Sequence, residues 1–223
     1  MCSIPAGATN LSVLLEANKE WANNIAATDP TLFEEMAAGQ SPKLLWISCS
    51  DSRVVPNSMC QLPPGEMFVH RNIANVVASG DLNLLAILQY AVEVLKIEHI
   101  VVCGHYQCGG VNAAMGNKSY GLIDNWLMHI RGVAHTHRKR LAAVSDPVQR
   151  AALLVELNVA NSVFNLAHTP IVQSAWQSGQ KLAIHGWVFS LQNGKIDDLG
   201  LIIDGMEKID AEFQLKSGAK GDH

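Results

Sequence analysis

The sequence predicts an α/β fold: a mostly parallel central β-sheet covered by helices, with an antiparallel edge strand from a C-terminal hairpin. Three observations predict it. Short apolar runs rich in Val, Ile and Leu alternate with longer stretches of helical spacing, the pattern of strands buried on both faces. No linker-like tract divides the 223 residues. Near the end, an Asn-Gly pair, a turn signal, separates two strand-like runs.

In chain order, Asp29-Pro30 is read as the start of a short helix that Gly39 ends. Lys43 to Ser50 is a buried strand, and Glu66 to Arg71 a second. Asp81 to Lys96 has helical length and spacing. His99 to His105 is a third strand, rich in Val and Ile. Leu122 to Leu141 is a long helix. Asp146 begins another, with Pro147 at its first position and Gln149 placed for a capping box. Thr169-Pro170 starts the last helix, and Gly179 follows its end. Lys181 to Gln192 reads as a strand, Asn193-Gly194 as the turn, and Lys195 to Ile203 as the returning edge strand. Gln214 to His223 is expected to be a loose tail.

Composition narrows the function. Hydrophobic residues make up 48% and charged residues 16%, enough apolar material for one core and unlike a disordered chain. Sixteen basic against 20 acidic side chains give a net charge of −4 with no basic stripe, so no nucleic-acid partner is expected. No apolar run reaches the roughly 18 residues of a membrane span. Met1 to Leu15 carries no charged side chain, so neither a basic secretory leader nor an Arg-rich one is visible, and a cytoplasmic protein is expected. Five cysteines, an odd count, argue against a disulfide framework and for metal binding or reactive thiols.

Two motifs carry the chemistry: Cys49-Ser50-Asp51-Ser52-Arg53 and Gly104-His105-Tyr106-Gln107-Cys108-Gly109-Gly110. Both lie where an apolar strand runs out, and open α/β sheets bind ligands beyond the carboxyl ends of their strands. If the two strands are neighbours, Cys49, His105 and Cys108 meet at one rim. Two thiolates and one imidazole form a three-ligand set for zinc, and three protein ligands with one open position mark a catalytic site. Cys108 precedes a helical segment whose N-terminus favours the thiolate. Cys103 shares strand parity with His105 and competes as a ligand, but its place inside the strand makes it the weaker candidate. Cys2 and Cys60 are read as packing or surface residues. His135 and His137, two apart, do not face one way on a helix. Gly104 to Gly109 starts like a P-loop, but Gly110-Val111 replaces the required Lys-Ser/Thr.

Together the two motifs resemble the β-class carbonic anhydrases. The similarity continues through Phe68 to Asn75, Gln89 to Val92 and His185 to Val188, and covers most of the chain. The resemblance implies reversible hydration of carbon dioxide to bicarbonate and a proton, a lyase reaction, with one zinc ion per chain held by Cys49, His105 and Cys108. It implies Asp51 and Arg53 as the catalytic dyad, with Asp51 a fourth metal ligand only in a closed state. Gln40 falls at a substrate-binding amide, Phe68, Ile73 and Tyr90 at pocket-lining positions, and Gly109 beside the site. It implies a single domain over residues 1–223, with residues 1–38 as an N-terminal helical arm whose helix, Leu11 to Ala27, packs on a partner subunit. Self-association as a dimer or tetramer follows. Trp46 and Arg71 also match a bicarbonate-regulated subgroup, but Phe189 replaces its Tyr. Three other readings stay open: an enzyme on the same scaffold acting on a related small molecule such as carbon disulfide, a zinc-stabilised interaction protein without turnover, and a redox protein using Cys103 and Cys108.

Overall fold

A computed structural model describes residues 4, 6, 7 and 9–215. The chain divides into two compact units, residues 1–41 and 42–223. The first unit holds helices α1 (Ser12–Thr28) and α2 (Leu32–Ala38). Trp21 of α1 meets Phe33 of α2 edge-on, with centroids 5.8 Å apart. Asp29 does not open the second helix. Its N–H donates back to Ile25 O at 2.7 Å, which closes α1, and its carboxylate accepts from the Thr31 hydroxyl rather than from helical N–H groups. Helix α2 therefore begins at Leu32, and Gly39 ends it as expected.

In the second unit, strands β1 (Leu44–Cys49), β2 (Met67–Asn72), β3 (His99–His105), β4 (Ala183–Phe189) and β5 (Ile196–Ile203) form one sheet. Their order is β2-β1-β3-β4-β5. The first three pairings are parallel and β4–β5 is antiparallel, so the sheet is mostly parallel with an antiparallel edge. Helices α3 (Pro56–Cys60), α4 (Leu82–Gln89), α5 (Gly109–Met115), α6 (Ile123–Thr136), α7 (Arg138–Ala142), α8 (Pro147–Ala167) and α9 (Pro170–Gln177) connect the strands.

Strand alternation divides the apolar residues between two faces. Leu45, Ile47, Ile100, Val102, Ile184 and Val188 belong to the main core together with Val155, Val159 and Val163 of α8. Trp46, Val101, Cys103 and Phe189 form a smaller cluster on the opposite face, where Trp46 meets Trp187 edge-on. Helix α8 lies so close to β3 that a Cβ on Gly104 would stand 2.7 Å from Val159 Cγ2 and 3.2 Å from Val155 Cγ1.

Several boundaries differ from the sequence expectation. Asp81 caps α4 by accepting from the Asn83 and Leu84 N–H groups. The stretch to Lys96 is not one regular helix: past Gln89 it widens, and Leu95 N–H reaches Tyr90 O, five residues back, at 3.0 Å. The expected 122–141 helix breaks at His137, whose ψ of 18° leaves helical geometry between α6 and α7. Asp146 caps α8 through Val148 N–H, and Gln149 makes no return bond. At the hairpin only Gly194 takes a left-handed φ (71°), while Asn193 Oδ1 accepts from Lys195 N–H. Gln214 and Leu215 are anchored rather than loose: Gln214 Nε2 donates to Met206 O and Ile209 O, and Leu215 N–H donates to Gln173 Oε1. The rest of the expected tail, 216–223, lies outside the described residues. No helix among the described residues is long and apolar enough to cross a membrane.

Substituting Gly104 by Ala is expected to destabilise the fold by about 1–3 kcal/mol through overpacking against α8. An unchanged urea midpoint would show that α8 can retreat without cost.

Candidate metal centre

Strands β1 and β3 are parallel neighbours, so their carboxyl ends share one rim. Cys49 is the last residue of β1, His105 the last of β3, and Cys108 the residue that precedes α5. Their ligand atoms lie within 4.8 Å of one another and all three residues are buried. The sulfurs are 3.9 Å apart. A tetrahedral zinc with bonds of about 2.3 Å spans two sulfurs about 3.8 Å apart, whereas a disulfide needs about 2.05 Å. His105 Nδ1 donates to Tyr106 O at 3.0 Å, since a carbonyl only accepts. That tautomer turns a lone pair out at Nε2, which is buried with no hydrogen-bond partner. The donor set therefore fits zinc. Cys103 is absent from the group: its thiol donates to Gly104 O, and burial pushes its pKa far up.

The two sulfurs interact across 3.9 Å. The contact with Cys108 favours the thiolate of Cys49, burial opposes it, and the Ala74 and Asp51 N–H groups favour it further. The same contact and burial push Cys108 up, although the Val111 and Gly110 N–H groups favour its thiolate. Backbone donors thus surround both sulfurs, and a cation would draw the second deprotonation down as well.

Asp51 sits beside the trio, gripped by Arg53. Its Oδ1 accepts from Arg53 N–H (3.0 Å) and Nε (2.9 Å), and its Oδ2 from Nη2 (2.7 Å). Those Arg53 contacts hold the carboxyl well below the usual carboxylate range. Asp51 Oδ2 lies 3.8 Å from His105 Nε2, and Asp51 is not part of the three-residue metal group. Arg71 fastens the loop from below: Nε donates to Cys49 O at 3.0 Å and Nη2 to Asp51 O at 2.6 Å.

The residues expected to line the substrate pocket are distributed as follows. Phe68 and Tyr90 meet with centroids 5.9 Å apart, Tyr90 standing at the start of the widened turn and 45% exposed. Ile73 is 38% exposed and abuts Gly110, where a Cβ would come within 2.8 Å of Ile73 Cγ2. It is Gly110, rather than Gly109, that packing requires to be glycine, because space is open around Gly109. Gln40 is exposed and belongs to the first unit.

Sequence reasoning missed the support behind Cys49. Ala74 N–H donates to Cys49 Sγ at 3.3 Å from a turn in which Ala74 (φ 62°) and Asn75 (φ 48°) are both left-handed. For a residue with a Cβ that conformation costs roughly 1–2 kcal/mol, so surrounding contacts must hold it. Helix α8 does so. Asn158 Nδ2 donates to Ala74 O (2.8 Å), Ser162 Oγ donates to Asn75 O (3.1 Å) while accepting from Val77 N–H (3.3 Å), and Asn165 Nδ2 donates to Val77 O (2.7 Å). From α6, Trp126 Nε1 donates to Ile73 O at 2.8 Å. The same α8 carries Glu156, which accepts from the Tyr106 hydroxyl at 3.0 Å and so braces the loop between His105 and Cys108. A polar stripe at 158, 162 and 165, on one face of the helix among apolar neighbours, was the available signal.

Asn158→Ala is expected to leave the buried Ala74 carbonyl unpaired, costing about 1–3 kcal/mol, and to speed transfer of zinc to a chelator. Chelator-transfer kinetics matching those of the unsubstituted protein would contradict this.

The comparisons with known proteins agree with this geometry. A family model described as carbonic anhydrase matches residues 44–196. The carbonic anhydrase of Emericella nidulans is 45% identical over 207 residues, covering 92% of this chain and 91% of that protein. A Coccomyxa β-carbonic anhydrase, solved in complex with acetazolamide, is similar with a TM-score of 0.86 and 42% identity, covering 90% of each chain. One from Sordaria macrospora, described as tetrameric, has a TM-score of 0.82 and 38% identity, covering 85% of this chain and 96% of that one. Sequence, sheet and the buried thiol–imidazole trio point the same way: the chain belongs to the β-class carbonic anhydrase family, zinc-dependent catalysts of the reversible hydration of carbon dioxide to bicarbonate.

Proposed function

We propose that this carbonic anhydrase works through the Asp51–Arg53 pair, beside a zinc ion held by Cys49, His105 and Cys108. When bound, zinc would supply Lewis acidity that makes water nucleophilic, and because two thiolates offset its formal charge this activation is expected on the alkaline side of neutrality. Two sulfurs 3.9 Å apart and an imidazole Nε2 with no other partner support that ligand set. One observation carries the role of Asp51: Arg53 holds both of its oxygens, and Oδ2 stands 3.8 Å from His105 Nε2. The ionised carboxylate can only accept, so it takes an O–H from the attacking water and aims the water's lone pair at the carbon of carbon dioxide. Arg53, fully protonated, keeps the carboxylate ionised and in register. Release from Arg53 would free Asp51 to join the metal ligands in a closed state.

Phe68, Ile73 and Tyr90 give apolar walls suited to an uncharged gas, and the open space at Gly109 leaves room beside them. The Gln40 amide, nine residues before Cys49, is assigned to donate to the oxygen that becomes negatively charged. The protein self-associates as a dimer or tetramer with residues 1–38 as its arm; exposed Leu14, Leu15 and Trp21 on α1 support an arm that packs on another subunit. Sedimentation as a monomer at micromolar concentration would overturn that assembly. Cytoplasmic residence is supported by the unpaired thiols of Cys49, Cys60, Cys103 and Cys108, and cell fractionation tests it.

Asp51→Ala is expected to keep one zinc per chain while carbon dioxide hydration, followed by stopped flow, falls by about 10²–10⁴-fold. Near-normal turnover in that variant would remove Asp51 from the reaction, and loss of zinc would make it a structural residue.

A further inference from the structure

A recess of about 460 Å³ lies away from the metal centre, between the end of α5 and helices α6, α7 and α8. Three guanidinium side chains line it: Arg131 of α6, Arg138 of α7 and Arg150 of α8. One carboxylate answers them. Asp124 Oδ1 lies 3.4 Å from Arg131 Nη2, while its Oδ2 is occupied by Ser119, Tyr120 and Gly121. Among the described residues neither Arg138 nor Arg150 makes an ion pair. Arg138 Nη1 donates to His135 O at 3.1 Å, and Arg150 donates through Nε to Val144 O at 2.8 Å and through Nη2 to Ser145 O at 3.2 Å. A guanidinium has five N–H donors, so both keep donors to spare. Three arginines against one aspartate leave the recess with a formal charge of +2, in a chain whose net charge is −4.

We propose that this recess binds a phosphate group, most naturally that of a phosphorylated small molecule. The arginine forks match the oxygens of a tetrahedral dianion, which a single point charge would not. The volume falls within the roughly 300–1,000 Å³ of small-molecule sites, well above the needs of a bare anion. The remaining wall supplies what an organic skeleton requires, with the Asn117 amide for a hydroxyl and Met115 and Ala134 for carbon. Helix α5 joins the recess to the metal centre. Cys108 precedes its first residue, Met115 ends it, and its seven residues span about 10 Å.

The test uses the full-length zinc-loaded protein and isothermal titration with phenyl phosphate and with inorganic phosphate, on the unsubstituted chain and on Arg138→Glu. One phosphate probe per chain is expected to bind, more weakly by at least tenfold in Arg138→Glu, with affinity falling as salt rises. Tighter binding of phenyl phosphate identifies an organic ester as the ligand, and tighter binding of inorganic phosphate identifies the free ion; either order supports the assignment. Asp51→Ala should leave the binding unchanged, which separates it from anion capture at the metal centre. The proposal is overturned by no binding at millimolar probe, or by equal affinity in Arg138→Glu with zinc content and circular dichroism intact.

Discussion

Two cysteine sulfurs held 3.9 Å apart in the interior are the constraint on which the rest of the structure turns. Two thiolates at such a distance repel by about 4 kcal/mol even at an effective dielectric of 20. They need compensation of two kinds. Backbone N–H groups of Asp51, Ala74, Gly110 and Val111 supply part of it from fixed positions. The rest requires a divalent cation, and the neutral imidazole of His105 completes a donor set that selects zinc over harder ions. The parallel sheet makes this possible because β1 and β3 end side by side and deliver Cys49 and His105 to one rim without a long loop.

Helix α8 serves two physical purposes. Its valines cover the sheet, closely enough to require glycine at position 104, and its polar stripe pins a turn that would otherwise relax. The left-handed Ala74–Asn75 pair is intrinsically unfavourable, yet it presents an N–H to Cys49 that an ordinary extended backbone would turn elsewhere. Buried Asn158 and Ser162 are correspondingly well satisfied, as interior polar groups must be. Stability and metal binding are therefore written into the same helix.

Most of the architecture was legible in the sequence because the strands are short, apolar and bounded by turn residues, and because Asp81, Asp146 and Thr169 are strong helix caps. The misreadings have particular causes. Asp29-Pro30 satisfies the rules for a helix start, but the preceding helix captured the Asp29 N–H first. The widening after Gln89 and the break at His137 leave no residue-level mark, since neither involves proline or glycine. At the site, His105 and Cys108 were visible through local spacing, and Asp51 and Arg53 through the motif that includes Cys49. The supporting roles of Arg71, Glu156 and the α8 stripe were not, because their partners (backbone atoms for Arg71 and the stripe, the Tyr106 hydroxyl for Glu156) are distant in sequence.

Local pattern alone thus settled the five strands, most of the longer helices and the chemical character of the ligands. It did so because periodicity, capping and donor type are properties of a few neighbouring residues. Only the tertiary structure decided that the two motifs share a rim, that one thiol receives an N–H from a left-handed alanine, and that three arginines from three helices converge on one recess. The first two depend on chain segments tens of residues apart and the third on how three successive helices pack, and such proximity comes from packing rather than from spacing.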